Sequence, residues 1–445
     1  MKKNFLKIFF FIVMIMNLHA QENKSGLYVG ENFQGEMDLY EALDWISINA
    51  QDGGEYSIVL KENLALSSTV LEYVDKYVTI FLKSVSTDTN IQLSYATRSP
   101  SSSLFTVKKG AILVLENGVE LIGRSSASRP LVTISDGGYF VMKGGVIKGS
   151  KVDHHQSWYG GGVDVLSGGY FIMHNGEISG NSSYGGAGVN ISKNAHFRMF
   201  GGIISKNYAY NVENRGVGGG VHVAGTFWLV DGQISDNSCH RSNSFGKGAG
   251  VYVSSGGSFK MDGGRINNNL DGGIFINDGH VTINGGSVDC NKGYYGGVYL
   301  QGDSSLIMTN GIISQNSSSE EGGAGVYINR DSSFTMYGGK VAENTTNGGN
   351  GGGVYVNGAF IMHDGTICGN KTSKSGGGVY VHFSGTFTKS NTAGIIYGGE
   401  ATDGNANIAD QYGHAVYTKN GSRDSTARTT MKLDSTKYGA DGGWE

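Results

Sequence analysis

A three-part repeat occupies the chain from residue 160 onward and constrains the fold more than any other sequence feature. Each copy contains a V-x-V segment, an F-x-M segment and an I-S-x-N segment, joined by Gly- or Ser-rich turns and followed by a loop of variable length. Successive V-x-V segments begin 23 to 32 residues apart. Apolar residues with a period of 2 predict strands with one buried face, and self-similarity at this period predicts a solenoid.

The copies align segment by segment. The first strand is predicted at 163–165, 189–191, 221–223, 251–253, 274–276, 298–300, 326–328, 354–356 and 379–381. The second is marked by Phe171/Met173, Phe197/Met199, Phe227/Leu229, Phe259/Met261, Val281/Ile283, Leu306/Met308, Phe334/Met336 and Phe360/Met362. The third ends in Asn181, Asn207, Asn237, Asn269, Asn291, Asn316, Asn344 and Asn370. Degenerate copies lie upstream, at Leu113/Leu115 and Phe140/Met142.

Coiling explains how such short strands bury their apolar side. Three strands per turn enclose the Val, Phe, Met and Ile side chains, and stacking pairs each strand with its equivalents in the neighbouring coils. The 74 glycines suit many sharp turns, and the two prolines, Pro100 and Pro130, precede the regular repeats, as expected because proline cannot donate to a strand ladder. The sequence predicts an all-β, right-handed parallel β-helix solenoid with about three short strands per coil and an N-terminal helical cap.

The ends differ from the repeat. Residues 37–50 predict a helix with Leu39, Leu43, Ile46 and Ala50 on one face and Asp38 as N-cap. Strand-like segments follow at 57–60, 78–82 and 91–93. We therefore divide the chain into a signal peptide (1–20), an N-terminal cap with the first coils (21–102), the β-helix repeats (103–390), and the last coils with a C-terminal cap (391–445).

Residues 1–20 have the pattern of a secretory signal peptide. Lys2, Lys3 and Lys7 are followed by the apolar residues 8–16 and by Leu18-His19-Ala20, an acceptable cleavage site. An uncleaved anchor is the alternative, although the apolar run is short for a span of about 20 residues. We expect an exported protein at the cell surface or outside the cell, with the periplasm as a further option, and no transmembrane segment in the mature chain.

Charge and cysteine usage narrow the functional classes. The net charge is −4 and no basic run follows the N-terminus, so nucleic acid is not an expected partner. Cys239, Cys290 and Cys368 fall in different coils. Cys290 lies about two coils from Cys239, and Cys368 lies many coils from Cys239. Because coils are stacked about 4.8 Å apart and a disulfide needs Cα atoms within about 7 Å, no disulfide is expected.

The repeat resembles the Gly-rich right-handed β-helix proteins of the pectate-lyase-like superfamily, on motifs such as GGGVYV at 376–381 and ISGN at 178–181. It is most similar to the repeats of polymorphic outer membrane proteins, whose Gly-Gly-Ala-Ile element corresponds to 185–189, whereas their F-x-x-N element is matched only loosely. The resemblance implies surface display and adhesion. We expect no autotransporter barrel, because too few residues follow position 390 for eight strands of about 10 residues.

Two repeated positions are candidate functional features. The recurring asparagine suits a turn with a left-handed backbone, and stacked asparagines can also hydrogen-bond along the solenoid. The middle residue of the first strand points outward and forms an aromatic row: Tyr252, Phe275, Tyr299, Tyr327, Tyr355 and Tyr380, preceded by Asp164, Asn190 and His222 and extended by Tyr417. An exposed row of this kind predicts a platform for sugar rings or a protein, and the alternative is a purely stabilising stack.

The loops after each asparagine leave the solenoid at one corner, at 150–159, 208–217, 238–247, 317–322 and 345–350. Such insertions indicate either a binding edge or tolerated variation. Asp153-His154-His155 is not expected to bind a metal, since three adjacent residues rarely converge on one ion, and no catalytic residue, metal or cofactor is predicted. The preferred hypothesis is a non-catalytic, adhesin-like module that binds a host or matrix glycan or protein. A structural envelope or matrix solenoid and a polysaccharide lyase or hydrolase remain the alternatives.

Overall fold

A computed structural model describes residues 25–86, 90–153, 160–210, 216–239, 247–319, 322–390, 393–399, 401, 404–418 and 443–444. The predicted signal peptide, His154 and His155 lie outside these residues, as do parts of the variable loops and of residues 391–445.

Three long sheets run the length of the solenoid, one for each segment of the repeat. Sheet 1 contains Thr69–Leu71, Phe105–Val107, Val132–Ile134, Val163–Val165, Val189–Ile191, Val221–Val223, Val251–Val253, Ile274–Asn277, Val298–Gln301, Val326–Ile328, Val354–Val356, Val379–Val381, Val416–Thr418 and Gly443–Trp444. Sheet 2 contains Asn32–Gly35, Gly26–Val29, Gly54–Leu60, Val78–Ser84, Ala111–Leu115, Tyr139–Met142, Tyr170–Met173, His196–Met199, Thr226–Leu229, Ser258–Met261, His280–Ile283, Ser305–Met308, Ser333–Met336, Ala359–Met362 and Thr386–Lys389. Sheet 3 contains Leu64–Leu66, Ile91–Tyr95, Val119–Ile122, Val146–Lys148, Glu177–Ser179, Ile203–Ser205, Gln233–Ser235, Arg265–Asn267, Ser287–Asp289, Ile312–Ser314, Lys340–Ala342, Thr366–Cys368 and Ile395–Ile396.

The predicted coil of three parallel strands is confirmed, and a fourth, shorter strand adds to it. Strands pair in register from coil to coil, for example Val163 with Val189 and Phe171 with Phe197. The fourth strand forms two short ladders at the corner between sheets 3 and 1: Ser182–Ser183, Tyr208–Ala209 and Ser238–Cys239, then Lys292–Gly293, Ser317–Ser318, Thr345–Thr346, Lys371–Thr372 and Ile408–Ala409. This corner is where the variable loops were predicted.

The core is a set of columns of like side chains. Phe171, Phe197 and Phe227 stack face to face with ring centroids 4.4 and 4.8 Å apart, and the methionines two residues later form a second buried column. Because every coil places the same residue type at the same point, each apolar side chain packs on an equivalent above and below. One continuous core therefore joins the coils.

A helix and an antiparallel hairpin cover the first coil. The predicted helix is confirmed over Leu39–Asn49, where the Asp38 carboxylate accepts from the backbone N–H of Glu41 at 2.9 Å and Glu41 accepts from that of Asp38 at 3.0 Å. This reciprocal capping box satisfies two N–H groups that the helix cannot. The strands Gly26–Val29 and Asn32–Gly35 extend sheet 2, and parallel coiling begins with Gly54–Leu60.

A lysine ends the methionine column. Lys389 occupies the core position of Met362 in the last strand of sheet 2 and is fully buried. Its ammonium group donates to the carbonyl oxygens of Ser390 and Ala393, both at 2.9 Å. In sheet 1, Gly443–Trp444 pairs antiparallel with Val416 and Tyr417 at the same end of the solenoid.

The cysteines agree with the prediction from coil spacing. No disulfide joins Cys239, Cys290 and Cys368 in the part of the chain that the structure describes.

Candidate functional site

The recurring asparagines form a continuous buried ladder from Asn181 to Asn407. In each step, taking Asn269 as the example, the side-chain Nδ2 donates to the Oδ1 of Asn291 at 2.9 Å and to the carbonyl oxygen of Ile234 at 3.0 Å. The backbone N–H of Asn269 also donates to the Oδ1 of Asn291, at 3.1 Å. The predicted stacking is therefore present, and the amides are buried with their hydrogen bonds made.

The prediction that the asparagine itself has a left-handed backbone is wrong. The positive φ angle belongs to the residue before it, as in Lys206 (55°), Asp236 (57°), Gln315 (54°) and Glu343 (57°). This residue makes the sharp corner in solvent, which leaves the asparagine free to point inward. The asparagine is selected by its amide hydrogen bonds rather than by its backbone conformation.

The predicted aromatic row of sheet 1 forms a single stack. From His222 through Tyr252, Phe275, Tyr299, Tyr327, Tyr355 and Tyr380 to Tyr417, neighbouring ring centroids lie 4.5 to 5.6 Å apart with interplanar angles of 7° to 29°. Each ring within the stack has both faces covered by its neighbours, so sugar rings have no free aromatic face to pack on.

The prediction that this row is exposed is also wrong. Phe275, Tyr299, Tyr327 and Tyr380 are buried, and Tyr252 and Tyr355 are half-buried. Corner glycines with positive φ fold the chain over the rings, and a Cβ at Gly248 would lie 2.8 Å from that of Phe275. Tyr295 covers Phe275 and Tyr299 edge-on, with centroids 5.2 and 4.2 Å away. The row is thus a second, outer core.

The N-terminal end of the same row is polar and fully enclosed. The Nδ2 of Asn190 donates to Asp164 at 2.7 Å, and the Nδ1 of His222 lies 2.6 Å from the Oδ1 of Asn190. Burial raises the pKa of Asp164 to about 7, against hydrogen bonds from Asn190 and Gly160 and the charge of Arg129. Burial lowers the pKa of His222 to about 4. This buried triad joins two titrating groups through one amide.

Sheet 2 presents the open face of the solenoid. Arg198, Trp228 and Lys260 occupy one outward column in successive coils, with the Arg198 guanidinium carbon 3.6 Å and the Lys260 ammonium nitrogen 4.6 Å from the Trp228 ring centroid. Asp262 accepts from Trp228 at 2.6 Å, Lys260 at 2.8 Å and Asn284 at 2.7 Å. Burial acts to raise the pKa of Asp262, but these hydrogen bonds outweigh it, so the pKa is lowered. The Asp262 carboxylate therefore offsets part of the positive charge on this stretch of the face.

A groove of about 520 Å³ follows the corner between sheets 2 and 3. We call it the corner groove. Its floor contains Gly118, Gly145 and Gly176, and its walls contain Asn90, Asn117, Glu120, Val146, Asn175, Glu177 and Ile203. The corner groove was not predicted because its residues come from separate coils, although the recurring Asn-Gly turns at 117–118 and 175–176 mark its position.

The two glutamates of the corner groove differ in their surroundings. Glu120 is buried and accepts from Asn90 at 3.0 Å, Gln92 at 3.2 Å and Lys148 at 3.0 Å. Glu177 lies two coils further along the same outward column, beyond Val146. Among the described residues, no side chain donates to the Glu177 carboxylate. One carboxylate is therefore fixed, and the other is available to a ligand.

The described residues contain no group of three His, Cys, Asp or Glu side chains placed to hold a metal ion. They also contain no helix long and apolar enough to cross a membrane.

The comparisons with known proteins agree with this architecture. Residues 219–394 match a protein family described as a right handed beta helix region. The chain folds as a right-handed β-helix. The likeness of this β-helix protein to the pectate-lyase-like superfamily is consistent with both the match and the three-sheet solenoid. No curated protein and no solved structure shows significant similarity to the chain.

Proposed function

We propose that this β-helix protein is an exported, non-catalytic, adhesin-like module that binds a linear glycan in the corner groove. The observation that carries the proposal is the groove itself: amide and carboxylate side chains repeat along a floor of glycines, parallel to the solenoid axis. A polymer of sugars repeats its hydroxyl groups along one direction, so successive coils can contact successive sugars.

The chemistry of the walls suits hydroxyl groups. Asn117 and Asn175 offer both donors and acceptors, and the Glu177 carboxylate offers acceptors only. Ile203 provides an apolar edge for sugar C–H groups. The aromatic row of sheet 1 has no part in this proposal, because its faces are covered by one another.

The carboxylates of the groove support binding rather than hydrolysis. Glycosidases use a carboxylic acid with a raised pKa to protonate the leaving group. In the part of the chain that the structure describes, the carboxyl group whose pKa is raised is that of Asp164, which is buried beneath the outer surface of sheet 1. The Glu120 carboxylate already contacts Lys148, Asn90 and Gln92, so its oxygens are occupied by protein donors.

The test is glycan binding by matched variants. The mature chain is applied to an array of neutral and acidic oligosaccharides, and the tightest binder is measured by calorimetry. Glu177→Ala should weaken binding about tenfold or more, as expected for a lost hydrogen bond to a charged group. Glu343→Ala is the control, since this carboxylate lies beside sheet 3 away from the groove. Equal affinity of both variants, or no binder on the array, would count against the proposal.

Location is tested separately on intact cells with an antibody against residues 160–390. Digestion by added protease, with a periplasmic protein left intact, agrees with surface display. Protection until the outer membrane is broken would exclude the adhesin role.

A structural solenoid of the envelope or matrix is the second candidate. The enclosed aromatic stack favours it, because the aromatic side chains that were expected to form a binding platform pack against one another instead. A high melting temperature without any glycan or protein ligand is the outcome that this alternative requires.

A further inference from the structure

The last five described strands of sheet 2 carry no Asp, Glu, Lys or Arg on their open face. Three outward columns cross five coils here, and we call this set the uncharged face. The central column is Thr282, Ile307, Thr335, Ile361 and Thr388. The flanking columns are His280, Ser305, Ser333, Ala359 and Thr386 on one side, and Asn284, Thr309, Tyr337, His363 and Ser390 on the other.

Large apolar groups on this face are open to solvent. Ile307, Tyr337 and Ile361 are 38%, 51% and 39% exposed. The Tyr337 ring stacks on His363 with centroids 4.6 Å apart, which holds it upright on the sheet. The preceding coils of the same sheet are different, since Arg198 and Lys260 lie over the Trp228 ring. Exposed apolar side chains grouped on one face indicate a contact surface.

We propose that a second copy of this chain covers the uncharged face, with the two solenoids antiparallel. The central column reads Thr-Ile-Thr-Ile-Thr and is symmetric about Thr335. A two-fold axis along the strand Ser333–Met336 places Ile307 opposite Ile361 of the other copy, and Thr282 opposite Thr388. A two-fold contact sets each surface against itself, so any charge near the axis would meet a like charge, whereas this face has none to repel.

The area predicts a weak contact. Five coils about 4.8 Å apart and five residues of about 3.3 Å give a footprint of roughly 400 Å² per copy. Stable dimers bury about 800 Å² per partner, so the isolated protein should associate with a Kd in the high micromolar range or above. Many copies displayed together would make this contact effective through multivalency. The pairing joins protein to protein and does not depend on the proposed glycan site.

The test is sedimentation velocity of the mature chain from about 10 μM to about 1 mM. A concentration-dependent dimer is expected. Thr335→Lys places two ammonium groups opposite each other and should raise the dimer Kd at least about tenfold. Thr226→Lys is the matched control, because it adds the same charge to an exposed position of sheet 2 that lies two coils before the uncharged face, and it should leave the dimer Kd unchanged. Circular dichroism confirms that each variant is folded.

A charge pair tests the antiparallel register. Ile307→Lys alone and Ile361→Glu alone each bury an unpaired charge and should weaken the dimer. The double variant I307K/I361E sets each new cation opposite a new anion of the other copy, so dimerisation should return. A wild-type monomer at about 1 mM, a dimer insensitive to Thr335→Lys, or failure of the double variant to recover would each overturn the proposal. Glycan binding in the corner groove is scored separately and should be the same in all these variants.

Discussion

The buried triad Asp164, Asn190 and His222 makes an unusual prediction about how stability depends on pH. Asp164 has a pKa of about 7 in the folded chain, against an ordinary value of 3.8, so between these values the folded chain holds a proton that the unfolded chain has released. Stability therefore falls as pH rises through this window, by about 4 kcal/mol in total. Above pH 7 both states are ionised and the loss is complete.

His222 acts in the opposite sense. Its pKa is about 4 in the folded chain, against 6.5 ordinarily, so between these values the unfolded chain holds the extra proton. Stability is therefore lost as pH falls through this window, by about 3 kcal/mol. Between pH 4 and 6.5 the two slopes, each about 1.4 kcal/mol per pH unit, cancel. Folding in that range takes a proton from an imidazolium and places one on a carboxyl group.

Single variants should separate the two slopes. From pH 4.5 to 6.5, the free energy of unfolding of Asp164→Asn should rise relative to wild type by about 3 kcal/mol, and that of His222→Gln should fall by a similar amount. Constant offsets from altered packing do not affect these differences. Urea unfolding followed by circular dichroism at pH 4.5, 5.5 and 6.5 measures them. Profiles that run parallel to wild type for both variants would refute the reasoning.

Two further variants test the ladders. Asn291→Ala removes the acceptor of the Asn269 backbone N–H and side-chain amide, and the side-chain donor to the Ile266 carbonyl. The free energy of unfolding, measured in urea, should therefore fall by about 3 kcal/mol or more. Asn310→Ala is the control at an exposed position and should lower it by less than about 0.5 kcal/mol. Tyr327→Ser opens a gap in the aromatic stack and should lower the free energy of unfolding by about 3 kcal/mol, while glycan affinity stays unchanged. If this variant instead kept wild-type stability and lost its ligand, the row would again be the better candidate for the binding platform.

Local patterns were sufficient to predict the solenoid. The alternation in segments such as 326–328 fixes which side chains point inward, and in-register stacking follows once every coil repeats it. The helix at Leu39–Asn49 could be predicted because Asp38 and Glu41 form a capping box three residues apart. The asparagine stack was predicted correctly, although its turn was assigned one residue late.

Burial on the outer surfaces could not be predicted in the same way. The corner strands, such as Ser317–Ser318, are two residues long and have no apolar alternation, so the sequence did not show that a strand lies at the corner between sheets 3 and 1. Whether Tyr299 is exposed depends on the path of those strands and on corner glycines. The corner groove likewise joins Asn90, Asn117 and Asn175 from different coils, and only the stacking brings them together. The uncharged face could not be recognised until the strand register showed which residues share a column.

The buried Lys389 affects whether further strands can add to the C-terminal end of the solenoid. The end of a β-helix offers the next strand the same template that each coil offers its successor, and strands can add to such an end as they do in amyloid fibres. A newcomer at sheet 2 would have to pack an apolar side chain on a buried ammonium group already committed to the carbonyls of Ser390 and Ala393. We therefore expect Lys389 to oppose the end-to-end addition of strands at sheet 2.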